Sequence, residues 1–272
     1  SSKIIRFGFR KITFIFKKQM AAIDILNKKY PDFSVSMSVY INDNPSHFRE
    51  SLMSVVNQSV IPSEIILVID GPVNQSIHDV IQEFKKNYSN LIVIELTENM
   101  GHAISRQRGI QSTSHDLVAL MDSDDISVSD RFEKQLIGFN TYPELDVLGG
   151  QINEFIDIQE NIVGVRNVPL NDKEIKKYLK KRCPFNQMTV MMKKSSIQEV
   201  GGYMDWYCNE DYYLWVRMLL NGSNFRNLPD NLVNVRVGND MYARRGGLKY
   251  FLSETKLQKL LYTHRIISLG LF

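Results

Sequence analysis

Two patterns predict an α/β fold with a mostly parallel sheet. From residue 33 onward, short β-branched runs alternate with segments of helical periodicity. The apolar run 116–121 then discharges into Asp122-Ser123-Asp124-Asp125, which is how a buried strand ends at a ligand-binding edge. The first strand is expected over 34–40. Ser46 is placed to cap the next helix, whose Phe48, Leu52, Val55 and Val56 fall on one face before Pro62 enforces a break. A second strand over 64–70 is closed by Gly71-Pro72, and a helix over 76–88 leads to a third strand over 91–96. A helix over 101–111 precedes the strand that carries the acidic run.

The second half reads as mixed. A helix is predicted over 130–140, a strand over 147–158, a helix over 172–182 and a strand over 188–192. Glu210-Asp211 opens a helix with Leu214, Trp215, Met218 and Leu219 on one face, and Asn221-Gly222 stops it. A strand over 232–237 and a basic helix over 248–267 close the chain. No internal repeat or clean linker divides it, so the simplest partition is a basic segment over 1–32, one domain over 33–243 and a basic helix within 244–272.

Composition excludes several function classes. At 43% apolar and 23% charged residues the 272-residue chain is globular in character, and no stretch reaches the roughly 18 to 20 apolar residues of a membrane span. Cys183 and Cys208 fit no metal-ligand spacing and suggest a reducing compartment, with cytoplasm as the expectation. The net charge of +3 hides an asymmetry. Residues 1–30 carry eight Lys and Arg against Asp24 alone, and 244–265 carry six against Glu254, which leaves the middle acidic. Phe and Ile interleave with the first basic cluster, a mixture suited to an anionic membrane surface. A packed helix is the competing reading. Nucleic acid is not expected as a partner, because the body is acidic and no nucleic-acid-binding motif accompanies the basic ends.

The acidic run carries the strongest chemistry. Packed carboxylates raise each other's pKa unless a cation sits among them, so a divalent metal with substrate phosphates explains the arrangement, and a solvated capping turn is the alternative. Tyr40 and Asp70 end the first two predicted strands and belong at the same edge.

Five ordered segments together resemble the inverting glycosyltransferases of family 2, which use the GT-A fold. Residues 34–40 resemble that family's opening strand, Val68-Ile69-Asp70-Gly71 its uracil-binding turn, and Asn99-Met100-Gly101 through Arg106 its Asn-x-Gly segment. Asp122-Ser123-Asp124 matches its metal motif, and Glu210-Asp211 its acidic pair. The resemblance implies a GT-A mixed sheet with flanking helices, and a UDP-sugar donor with uracil N3–H on Asp70 and Ser38, Tyr40, Gly101 and Ser123 around the nucleotide. It further implies Mn2+ or Mg2+ on Asp124 with Asp122, the latter facing the ribose or a metal-bound water, and Asp125 as a buttress. Asp211 becomes the base and Glu210 its acceptor-side support. Without the family, that pair reads as an ordinary helix-start charge pair, and Asp70-Gly71 as a turn. Arg106 is a candidate phosphate contact or a solvated charge, and Trp206 a candidate stacking platform for an acceptor sugar or core packing. Arg244 and Arg245 are a candidate flap over the diphosphate. The motif around residues 131–135 most resembles bacterial O-antigen and capsule transferases, whose acceptors are commonly sugars on polyprenyl diphosphate, which places the protein at the inner face of the cytoplasmic membrane. The rival readings are a haloacid-dehalogenase-like phosphatase with Asp122 as nucleophile, against which three preceding strands and Ile126 argue, and a silent carbohydrate-binding relative.

Overall fold

Among the described residues, hydrogen bonding assembles nine strands into one mixed sheet. The computed structural model describes residues 30–238 and 247–268. The expected segment over 1–32, apart from its last three residues, and the pair Arg244 and Arg245 lie outside the described residues.

β1 (Phe33–Val39) runs parallel to β2 (Glu64–Ile69) on one side and β4 (Leu117–Met121) on the other, and β2 runs parallel to β3 (Leu91–Glu95). Register pairs Ser36 with both Ile66 and Leu120, so the carboxyl ends of β1, β2 and β4 finish along one edge. All six residues of β2 are buried, as a strand covered on both faces requires. The crossovers are α1 (Pro45–Val56), α2 (Gln75–Asn87) and α3 (His102–Gln111). α1 begins two residues earlier than a Ser46 cap would set it, because Asn44 caps it: its Oδ1 accepts from the Ser46 and His47 amides at 2.9 and 3.3 Å, with Pro45 in the first turn. It also ends at Val56, well before Pro62. α3 lies so close to the sheet that a Cβ on Gly109 would meet Ser36 Oγ at 2.2 Å.

Beyond β4 the sheet changes character. β5 (Ile126–Ser127) follows the acidic run, α4 (Arg131–Thr141) crosses back, and β6 (Val147–Phe155) forms a hairpin with β7 (Ile162–Arg166). After α5 (Asp172–Leu179) and a single 3-10 turn at Gln187–Thr189, β8 (Met191–Lys193) lies antiparallel between β4 and β6. The strand expected over 188–192 is therefore part turn and part strand. α6 (Lys194–Glu199) and α7 (Glu210–Leu220) lead into β9 (Phe225–Arg236), parallel to β6 and antiparallel to β5. β9 starts seven residues before the strand expected at 232. Its pairing with β6 skips from Asn227 to Asn231 across Pro229, a bulge that accommodates the missing amide. α8 (Gly247–Thr263) closes the described chain. The core of this half gathers around buried Trp215, whose ring lies 5.0 Å from Phe185, with Phe225 edge-on to Phe185 at 5.6 Å.

Candidate active site

One side of the candidate site is built where β1 and β2 end. Asp70 is buried, and its two carboxylate oxygens accept from the Met100 and Gly101 amides at 2.7 and 3.0 Å. A carboxylate oxygen keeps a further lone pair, so Asp70 can hold the 98–101 loop and still accept from a ligand imide. Gly71, at φ +80°, permits this arrangement: a Cβ there would meet the Asn99 nitrogen at 2.5 Å. Ser38 is half-buried on β1, and the Tyr40 ring lies 6.3 Å from His102. The Tyr40 amide donates to Asp43 Oδ2 at 3.0 Å, and the same oxygen accepts from Ser123 Oγ at 2.9 Å. Asp43 thus ties the end of β1 to the acidic run, a role its loop position in the sequence does not signal.

The acidic turn is anchored from three further directions. Ser51 Oγ on α1 donates to the Asp122 carbonyl at 2.8 Å. Arg236, at the end of β9, donates its amide to Asp125 Oδ1 at 3.0 Å and its Nε to the Asp124 carbonyl at 3.3 Å, while its guanidinium reaches Glu50 Oε2 and the Asp157 carbonyl. The β5–β9 pairing, Ile126 opposite Asn234, delivers Arg236 to this place. Asp125 is buried, and burial together with the charges of Asp124 and Asp122 pushes its carboxyl well above the usual range. Beneath the turn, fully buried Arg131 donates to the Leu120 carbonyl at 2.8 Å and to Gln135 Oε1 at 3.0 Å. Burial pushes its pKa down to about 9 against the opposing pull of Asp122 and Asp125, so a fixed cation underlies the acidic cluster.

Arg106 joins the two halves of the site. From α3 it donates to Asp122 Oδ1 at 3.0 Å and to Glu210 Oε1 at 2.8 Å, although 16 residues separate it from the first and 104 from the second. Its side chain is 13% exposed, so it is a buried link between the acidic turn and the Glu210-Asp211 pair rather than a solvated charge. Burial alone disfavours its charge, but Asp122 and Glu210 raise its pKa well above the ordinary arginine value. A helix start by itself lowers a carboxylate pKa, yet for Glu210 burial wins and the carboxyl is raised, with Arg106 opposing and Asp211 reinforcing the shift. Asp211 accepts from Cys183 Sγ at 3.5 Å. Burial and Asp211 push that thiol well above its ordinary value, so it remains a protonated donor. Tyr203 adjoins the group: its amide bonds Gln107 at 2.7 Å, its hydroxyl bonds Gln187, and burial raises its pKa.

Asp122, Arg106 and Glu210 therefore belong to one bonded set, with Ser123 tied to the end of β1 and Asp70 at the neighbouring strand end. The Trp206 side chain makes no hydrogen bond to this set. It is buried, its ring lies 4.3 Å from Tyr213, and Lys256 Nζ sits 4.0 Å from its centroid. Those contacts engage its ring with protein. Asp43, Arg236 and Cys183 are the contacts that sequence reasoning missed, since nothing local marks them.

A divalent cation fits the chemistry of the acidic turn. The donors are all hard carboxylate oxygens, and the upward shift at Asp125 records the negative charge collected there. Among the described residues no three His, Cys, Asp or Glu side chains are grouped as a metal cage. Asp124 with Asp122 would hold such an ion only with phosphate or water oxygens completing its shell.

The Glycosyl transferase family 2 model matches residues 34–201. An uncharacterized glycosyltransferase of Haemophilus influenzae is 44% identical over 242 residues, covering 88% of this chain and 90% of that one. A UDP-Gal:alpha-D-GlcNAc-diphosphoundecaprenol beta-1,3-galactosyltransferase of Escherichia coli is 37% identical over 88% of this chain and 86% of its own length. Among solved structures, the mannosyltransferase PcManGT from Pyrobaculum calidifontis in complex with GDP-Man and Mn2+ superposes with a TM-score of 0.60 at 14% identity over 79% of this chain. The match spans 61% of that protein, so it speaks to fold alone.

Proposed function

This chain belongs to the family 2 glycosyltransferases and has their GT-A fold, and from that premise we propose that it transfers a hexose or N-acetylhexosamine from a UDP-sugar, with inversion, to a saccharide carried on polyprenyl diphosphate. The observation that carries the reading is the double ion pair of Arg106, which ties the strand-end motif to the acidic pair. UDP is supported by the Asp70 carboxylate, whose acceptor chemistry suits an imide N–H, and by the UDP-Gal donor in the name of the Escherichia coli relative. The same name supports the lipid-linked acceptor and hence work at the inner face of the cytoplasmic membrane, in O-antigen or capsule assembly.

In this mechanism Asp70, Ser38 and Tyr40 orient the nucleotide, and Asp43 and Arg236 hold the acidic turn in place. Mg2+ or Mn2+ on Asp124 and Asp122 would offset the charge that collects on the departing diphosphate. Asp211 takes the proton from the acceptor hydroxyl, whose oxygen bonds to the anomeric carbon as the bond to the UDP oxygen breaks on the opposite face. Cys183 steadies the carboxylate from behind, and Glu210, fixed by Arg106, borders the acceptor.

A donor screen with UDP-Glc, UDP-Gal, UDP-GlcNAc, UDP-GalNAc and GDP-Man, with and without divalent metal, tests this. Metal-dependent UDP release with one UDP-sugar is expected, reduced about a hundredfold or more in Asp211→Asn with folding intact. Turnover of GDP-Man alone overturns the donor assignment, inorganic phosphate release would indicate a phosphatase, and no turnover a silent relative.

A further inference from the structure

The outward face of α8 has no role in the transfer chemistry, yet it is the most apolar exposed surface on a described helix. Ser253, Leu257 and Leu261 form the inward face, and Ser253 Oγ donates to the Tyr207 carbonyl at 2.6 Å while accepting from Asn209 Nδ2 at 3.1 Å. The helix is thereby fixed to the segment that runs straight into Glu210 and Asp211. On the opposite side Leu248, Phe251 and Leu252, spaced i, i+3, i+4, are 73%, 65% and 57% exposed. Lys259 continues that face, and Lys249 and Lys256 flank it with their ammonium groups over Tyr207 and Trp206 at 4.1 and 4.0 Å. Lys256 and Lys259 also line a cleft of about 480 Å³ with Trp206 and Leu260. None of the three lysines pairs with a carboxylate in the salt bridges of the described residues.

We propose that this face seats the enzyme on an anionic lipid bilayer, with Leu248, Phe251 and Leu252 in the acyl boundary and the lysines at the phosphate level. A large apolar wedge flanked by exposed lysines is the chemistry of an interfacial helix. The charge pattern favours a bilayer over a second copy of the chain. A twofold contact through this face would gather six lysines, three from each copy, into one interface, and α8 offers only Glu254, on its other flank, to set against them. Anionic headgroups complement the same cations. The proposal rests on the lipid-linked acceptor read above, because α8 then sets the height of the acceptor cleft over the membrane.

The test uses the full chain with vesicles of phosphatidylglycerol and phosphatidylethanolamine, and with neutral phosphatidylcholine vesicles. The emission that Phe251→Trp adds to that of buried Trp206 and Trp215 in the parent chain is expected to shift to the blue on the anionic vesicles and to be quenched by brominated acyl chains, and this difference from the parent is a local readout that binding through residues 1–30 does not mimic. The Leu248→Ser/Phe251→Ser/Leu252→Ser variant should lower partitioning about tenfold, and Lys249→Gln/Lys256→Gln should weaken it on anionic vesicles. Both should retain transfer to a water-soluble acceptor analogue. Unchanged emission from the Phe251→Trp variant, unchanged partitioning of the serine variant, or self-association abolished by that serine variant overturns the proposal. Absence of transfer to any acceptor would refute the transferase reading while leaving the vesicle result to stand by itself.

Discussion

Replacing Arg106 by Met keeps most of the volume and removes the one cation that serves both Asp122 and Glu210. Two charge-assisted hydrogen bonds of 3.0 and 2.8 Å are lost, around a side chain only 13% exposed. Breaking a buried ion pair typically costs about 3 to 5 kcal/mol. Asp122 is 29% exposed and recovers some hydration, so the expected cost lies at the lower end, about 3 kcal/mol. For a domain of this size that corresponds to a fall in Tm of about 6 to 12 °C. The pH dependence has a definite sign. Glu210 is raised in the folded protein despite the opposing pull of Arg106, so losing the guanidinium raises it further. A raised carboxyl contributes stability at low pH that disappears as pH rises through its folded pKa, so the deficit of Arg106→Met should be smaller at about pH 5 than at about pH 8. Urea titrations at the two pH values measure it, and adding Glu210→Gln should return part of the loss as a coupling of about 1 kcal/mol or more. Arg106→Lys reaches one carboxylate but not both and should fall between. A deficit below about 0.5 kcal/mol, or one that grows as pH falls, would refute the bridge.

Gly71→Ala forces a Cβ to within 2.5 Å of the Asn99 nitrogen at a φ of +80°, so it should destabilise the protein by about 2 kcal/mol and displace the loop bonded to Asp70. Thermal melts together with UDP affinity check this, and unaltered values for both would contradict it. N-ethylmaleimide at about pH 8 should label exposed Cys208 rapidly and half-buried Cys183 far more slowly, because burial and Asp211 hold the Cys183 thiol protonated. Peptide mass spectrometry reads the two sites separately, and equal labelling in the native state would rule out the contact with Asp211.

Periodicity made the first half legible because β1, β2 and β4 are buried runs with helical repeats between them, and their ends coincide with Tyr40, Asp70 and Asp122. The second half hid its elements for identifiable reasons. β5 has two residues and α6 six, too short for any period to register. β7 is an edge strand whose Ile162, Val163 and Val165 face solvent, which defeats a burial-based reading. Pro229 masked the first half of β9 because a bulge, invisible in sequence, absorbs it. Within the site, residue types at strand ends pointed to the carboxylates. Their supports did not show, since Arg236 reaches Asp125 across 111 residues and Ser123 reaches Asp43 across 80, and such contacts leave no local pattern. Arg106 stood as a phosphate contact or a solvated charge until its two partners were placed.

The tethers on the acidic turn divide the labour of change along the chain. Ser51, Asp43 and Arg236 fasten its backbone and side chains before any donor arrives, so little ordering entropy remains to oppose nucleotide capture. The segment from 182 to 209 that approaches Asp211 touches none of those three tethers in the hydrogen bonds described. Under the proposed transfer, substitutions there that spare Thr189 and Val190, which bond Gln135 and Arg131 beneath the turn, would retune which hydroxyl is offered for reaction without loosening the grip on the leaving group, a separation that lets one scaffold diversify its products.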